Sequence, residues 1–150
     1  MKVINYFDCI DREYWLEEIG KSDWGAGKYL YTLLKENRLQ EIAGEGARVL
    51  MLTEGTELIS FCTLSERDEI QPTELKPWIG FVYTFPARRG QRCMGRLLDR
   101  IAEISEEENF THAYISTDHV GLYEKYGCEF LCEMKTVGGE MSRVYIKTFK

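Results

Sequence analysis

Four arginines and two glycines crowd residues 86–98, Pro-Ala-Arg-Arg-Gly-Gln-Arg-Cys-Met-Gly-Arg-Leu-Leu, where an apolar run gives way to a helical pattern. Cations at a helix start oppose the macrodipole, whose positive end lies there. Helix stability therefore explains Arg89, Arg92 and Arg96 poorly. A bound anion explains them better, because free backbone N–H groups, the dipole and guanidinium forks all favour phosphate. The competing use is a solvated face paired with glutamates, which Arg100 and Glu103 fit at a spacing of three.

Two familiar phosphate loops do not describe this segment. Gly90 and Gly95 have the spacing of a P-loop, but Arg96 and Leu97 stand where its lysine and hydroxyl residue belong. The dinucleotide fingerprint Gly-x-Gly-x-x-Gly is absent too. Other reactive side chains are scattered. Glu66, Asp68, Glu69 and Glu74 form an acidic stretch, and such a run is usually just solvated. His112 and His119 are isolated, as structural histidines commonly are. Cys128 and Cys132 lack a second Cys/His pair, so no metal is expected.

The elements that must position these groups follow from periodicity. A short strand is expected at Val3–Phe7, then helices over 11–20 and 25–36, with Ser22-Asp23 as the capping signal of the second. Val49–Leu52 and Leu58–Leu64 flank Glu54-Gly-Thr-Glu57 as an antiparallel hairpin. Trp78–Phe85 reads as a strand ended by Pro86, which cannot donate to a ladder. Met94, Leu97, Leu98, Ile101 and Ile104 make one stripe of a helix over 91–105. Ala113–Ser116 is a further strand, and Thr117-Asp118 is placed to cap a short helix through Tyr126, closed by Gly127. Glu129–Lys135 and Met141–Thr148 complete a hairpin turned by Gly138-Gly139. The strand–helix–strand unit from 78 to 116 implies a parallel pair within a mostly antiparallel sheet.

Bulk properties narrow the function. At 150 residues and 44% hydrophobic content the chain suits one domain with a substantial core. A net charge of -6 argues against general nucleic-acid binding and makes the arginine cluster a local positive site on an acidic body. No apolar run reaches the roughly 18 residues of a membrane span, and the start lacks a signal-peptide layout. Five cysteines in largely apolar surroundings fit reduced core thiols, hence a cytoplasmic setting.

The arginine-rich segment resembles the acetyl-CoA loop of the GNAT superfamily of N-acetyltransferases, Gln/Arg-x-x-Gly-x-Gly/Ala after a strand and at a helix start. Here Pro86-x-x-Arg89-Gly90 is followed by Leu97-Leu98 in the family's register, with Arg92 and Met94 at two positions usually held by glycine. Downstream, Gly121-Leu-Tyr-Glu-Lys-Tyr-Gly127 resembles the family's Leu-Tyr-Glu-Lys-x-Gly segment, followed by Cys128 in place of its usual aromatic residue. The resemblance covers the order of elements over about residues 48–147, with two helices upstream.

This resemblance implies a single-domain α/β (α+β) fold, a mixed, mostly antiparallel sheet of about six to seven strands flanked by helices. It implies acetyl transfer from acetyl-CoA, the co-substrate, to an amine of a small molecule or peptide within a ternary complex. Backbone groups of Tyr83, Thr84 and Phe85 would hold the pantetheine arm. The segment Arg89, Gly90, Gln91, Arg92, Cys93, Met94 and Gly95 would hold the diphosphate. Ser116 stands at the position of a CoA-contacting asparagine, and Tyr123 at that of the tyrosine that protonates the leaving sulfur. No carboxylate or histidine lies on the strand 78–85, so the proton leaves either through a water relay to a backbone carbonyl or to a base from elsewhere, for which Glu74 is the one put forward. Trp24 and Asp23 offer an aromatic wall and an anion to an acceptor, or else a core residue and a cap. A homodimer is a further expectation from the family. The alternatives are a non-catalytic CoA-binding or interaction module of the same fold, and a donor with a longer acyl chain.

Overall fold

The structure is a computed structural model and describes residues 1–149 of the chain. Seven strands, β1 (Lys2–Asn5), β2 (Arg48–Glu54), β3 (Glu57–Ser65), β4 (Trp78–Thr84), β5 (His112–Thr117), β6 (Glu129–Lys135) and β7 (Met141–Thr148), form one sheet in the order β1-β2-β3-β4-β5-β7-β6. Every neighbouring pair is antiparallel except β4 and β5. Four helices accompany it: α1 (Arg12–Gly20), α2 (Gly25–Lys35), α3 (Leu39–Ala43) and α4 (Cys93–Glu108). None is long and apolar enough to cross a membrane.

Strands β2 and β3 are buried on both faces, and their alternation assigns each face a helix layer. Leu50, Leu52, Ile59, Cys62 and Leu64 pack against the α4 stripe Met94, Leu97, Leu98, Ile101 and Ile104. Val49, Met51, Leu58 and Phe61 pack on the opposite face with Trp15 and Ile19 of α1 and Leu30, Leu33 and Leu34 of α2. The sequence's continuous apolar runs are thus central strands rather than half-solvated ones.

Several local expectations are corrected. Strand β1 stops at Asn5, whose side chain accepts the Phe7 amide and turns residues 6–8 into a 3-10 helix. Neither Ser22 nor Asp23 caps α2, whose N-cap is Trp24. The Ser22 hydroxyl is buried without a partner against Gly27, where a Cβ would come within 2.2 Å of it. The helix expected over 91–105 begins at Cys93 and runs on to Glu108. Between β5 and β6 there is only one 3-10 turn, Tyr123–Tyr126, because Thr117 Oγ1 accepts the His119 amide in a local turn instead of starting a helix. Gly127 does close that turn with φ 82°. The short α3 was not foreseen at all.

Candidate active site

Strands β4 and β5 pair only through Trp78–Tyr114 and Ile79–Ile115. Beyond Ile79 the ladder ends, and the edge of β4 facing β5 is left open. A bulge in β4 reinforces the break. The register against β3 slips between the pairs Phe61–Tyr83 and Thr63–Gly80, and Phe81 takes a left-handed backbone, φ 50°. The extra residue puts consecutive side positions on one face, so that Gly80 faces Thr63 while Phe81 packs into the α1/α2 layer beside Tyr83.

A cavity of about 530 Å³ occupies this break and reaches both helix layers, with Ile115 and Tyr123 on the α4 side and Tyr29, Leu33 and Phe81 on the α2 side. Tyr123 is 5% exposed. Burial, chiefly, holds its phenol far above the ordinary value, so it stays protonated at any physiological pH. Its hydroxyl has no hydrogen-bond partner among the described residues and is free to meet a group entering the gap.

The acidic stretch divides by environment. Glu74 is exposed and lies outside the cavity, so the structure does not bring the expected base to it. Glu69 lines the cavity but is exposed and accepts the Ser116 hydroxyl at 2.6 Å. Asp68 is different. Its Oδ1 sits where a side chain at position 80 would begin, 2.2 Å from the Cβ that Gly80 lacks. Burial there pushes its carboxyl up to about 6, with the Glu69 amide opposing and the Glu69 charge adding a little. Near it is the Thr63 hydroxyl, 3.1 Å from the same Cβ position, 2% exposed and without a partner. A carboxylate poised near neutrality beside an unsatisfied hydroxyl has the properties of a general base.

Beyond the end of β4, the loop from Gly90 to α4 presents its amides. Gly90 has φ 82° and Arg92, the N-cap of α4, has φ 55° with no side-chain cap bond. The N–H groups of Gly90, Gln91, Arg92, Cys93 and Met94 have no protein acceptor among the described residues, which is the arrangement that takes a phosphate. The arginines have separate roles. Arg88 is held by Glu54 and Glu57 at 2.9 and 2.7 Å and belongs to the scaffold. Arg89 donates through Nε to the Thr84 carbonyl at 2.9 Å and lies over the Tyr83 ring. Arg92 lies over Tyr126, 4.8 Å from its centroid, and reaches the Lys125 carbonyl at 3.3 Å. Gly95 faces a second depression, about 480 Å³, shared by Arg92, Lys125, Tyr126 and Lys147.

Of the strand residues expected to hold a pantetheine arm, Phe85 gives its amide to Ile59 of β3, and the Thr84 carbonyl is engaged by Arg89. The Tyr83 side chain points to the other layer, donating to Asp23 Oδ1 at 2.5 Å and stacking on Trp24 with rings 8° from parallel. Asp23 is consequently held below the ordinary carboxylate range by Tyr83. Ser116 lies on the cavity rim between Glu69 and Ser142. Sequence reasoning passed over Gly80, Phe81 and Thr63. The one available signal was a glycine within an otherwise bulky strand, which commonly marks a bulge or a close approach.

The comparisons agree with this architecture. Residues 10–128 match the model of the acetyltransferase (GNAT) family. Among curated proteins none matches the sequence. Among solved structures, the aminoglycoside 6'-N-acetyltransferase from Enterococcus faecium superposes with a TM-score of 0.69 at 11% identity, covering 99% of this chain and 97% of that one. An acyl-CoA N-acyltransferase from Pseudomonas aeruginosa superposes at 0.64 with 20% identity and 97% coverage of both chains. An aminoglycoside 6'-N-acetyltransferase complexed with coenzyme A gives 0.66 at 12% identity, covering 99% and 97%. A family match over most of the chain, together with the parted β4–β5 pair and the uncapped amide loop, leads to one conclusion: the chain belongs to the GNAT acetyltransferase family.

Proposed function

We propose that the protein is an acetyl-CoA-dependent N-acetyltransferase that acetylates a primary amine by direct attack with both substrates bound. The observation that carries this is the cavity through the β4–β5 break, because it joins a desolvated carboxylate, Asp68, to a buried neutral phenol, Tyr123. The residues fit the cofactor: five consecutive unpaired amides at the start of α4 suit its diphosphate, and the open edge of β4 suits an extended polar arm. When bound there, acetyl-CoA supplies an acyl group activated as a thioester.

The chain's own groups divide the proton work. An amine enters as ammonium, since its pKa lies near 10 in water. Asp68 accepts its proton, and desolvation favours the neutral pair over the charged one. Amides on the open edge of β4 donate to the oxygen that gains negative charge. Tyr123 gives its proton to the departing sulfur and takes back the one that the acylated nitrogen sheds, while the base, Asp68, is carried by the β3–β4 loop and not by strand β4. Structural neighbours named as N-acetyltransferases support nitrogen as the acceptor atom.

The test is release of CoA thiol across a panel of amines. The wild type is expected to show amine-dependent release. Tyr123→Phe is expected to keep acetyl-CoA affinity within about twofold while lowering kcat by about 10²-fold, the lower end of general acid contributions. Tight binding of acetyl-CoA with no amine-dependent release would instead identify a non-catalytic CoA-binding module.

A further inference from the structure

The acceptor side of the cavity carries more information than its acidity. It is lined by Asp68 and the unpartnered Thr63 hydroxyl, and its walls on the α2 side are Tyr29, Leu33, Leu39 and Phe81. Leu33 and Leu39 are each 1% exposed and offer no polar atom. Tyr29 and Phe81 face each other with ring centroids 6.3 Å apart, tilted by 37°. Phe81 reaches this wall only because the bulge turns it onto the same face as Gly80, at the cost of a left-handed backbone that is unusual for an aromatic residue. The other anions of the rim differ from Asp68, since Glu69 is bonded to Ser116 and Asp118 is exposed.

Resting on the acetyl-transfer reading above, we propose that the acceptor is a primary monoamine on an apolar, ring-sized body: an arylalkylamine. One desolvated carboxylate takes one ammonium, and the Thr63 hydroxyl accepts a second N–H from it. The aliphatic and aromatic walls take the ring. A polyhydroxylated amine such as an aminoglycoside finds polar partners at Ser65, Gln71, Thr117 and His119 but none along Leu33, Leu39 and Phe81, where burying hydroxyl groups without hydrogen bonds is unfavourable. A second ammonium would find only the exposed carboxylates of Glu69 and Asp118 in the cavity.

The experiment compares 2-phenylethylamine, ethanolamine and kanamycin at saturating acetyl-CoA, reading CoA thiol, with calorimetry of each amine against the protein. The expected result is a kcat/KM for 2-phenylethylamine at least 30-fold above either other amine. Tyr29→Ala, at a half-exposed position, is expected to fold normally and to narrow the ratio of 2-phenylethylamine to ethanolamine at least fivefold, mainly through KM. Efficient turnover of kanamycin or ethanolamine, equal to or above that of 2-phenylethylamine, overturns this acceptor class and leaves acetyl transfer standing. An unchanged ratio in Tyr29→Ala also overturns it. Acetyl-CoA binding with no thiol release from any amine overturns both.

Discussion

Asp68 differs from its acidic neighbours in one respect that no composition reveals: its carboxyl fills the space left by a missing Cβ at Gly80. The desolvation that raises it to about 6 has opposite consequences for catalysis and stability. As a base it works only when ionised, so turnover is expected to rise with pH through about 6. For stability the sign is reversed. The native state holds this proton more tightly than the unfolded chain, whose carboxyl ionises near 3.9. Stability is therefore lost as pH climbs from about 4 to about 6, and the loss persists above that. Asp68→Asn is expected to raise the melting temperature at pH 7.5, by the equivalent of about 1–3 kcal/mol, while lowering kcat at least tenfold and flattening the acid limb of the pH–rate profile. Thermal melts and pH–rate profiles of both proteins check this, and a lower melting temperature in the variant would sink it. In the sequence Asp68 was one member of an acidic run. Residues 68 and 80 come together only through the β3–β4 loop, and that contact was invisible until the fold was known.

At the scale of elements, the legible parts were those whose periodicity is decided locally. The α4 stripe, the β2–β3 hairpin and the β4–α4–β5 unit follow from patterns of 3.6 and 2, and the structure has all of them. The parts that were missed depend on tertiary choices. The five-residue α3 is too short for a periodic signal, and the bulge at Phe81 depends on pairing with β3. The Tyr123 segment forms one 3-10 turn because side chains tie the loop: the Gly121 amide donates to Glu124, and the single Tyr145 hydroxyl hydrogen is shared between Glu124 and the His119 carbonyl. The loop before α4 is the element whose conformation matters most to cofactor binding. Gly90 has no neighbour within 4 Å of an added Cβ, but its φ of 82° disfavours any L side chain. Gly90→Ala is therefore expected to act through the backbone, by about 1–2 kcal/mol. That strain is relieved if the loop relaxes and its amides turn away. The expected outcome is roughly tenfold weaker acetyl-CoA binding by calorimetry with a melting temperature lowered by only a few degrees. Unchanged affinity would remove the amide loop from the cofactor site.

Across the whole molecule, the sheet is two antiparallel blocks, β1–β4 and β5–β7–β6, joined by only two paired positions. They are held together on both faces: the α4 stripe packs in one cluster with Leu50 and Ile59 of the first block and Ala113, Ile115 and Tyr145 of the second, and on the opposite face Ile70 and Trp78 pack with Tyr114 and Val144. The break is thus a stable feature supported on both faces at one end of β4, and a ligand that spans its open part supplies a further connection between the blocks. Binding to the native state alone stabilises it by mass action, about 2.7 kcal/mol at one hundred times Kd. For a chain of this size that is a rise of about 5–11 °C in melting temperature. Hydrogen exchange then locates the effect. Slowed exchange is expected in β4, in residues 86–94 and in β5, where amides on the open edges and the α4 loop gain acceptors, with little change in α1 or β1. A rise in melting temperature accompanied by protection confined to the depression near Lys125 and Lys147, with the amides of β4 untouched, would mean that acetyl-CoA binds outside the break. Asp68 and Tyr123 would then have no thioester between them.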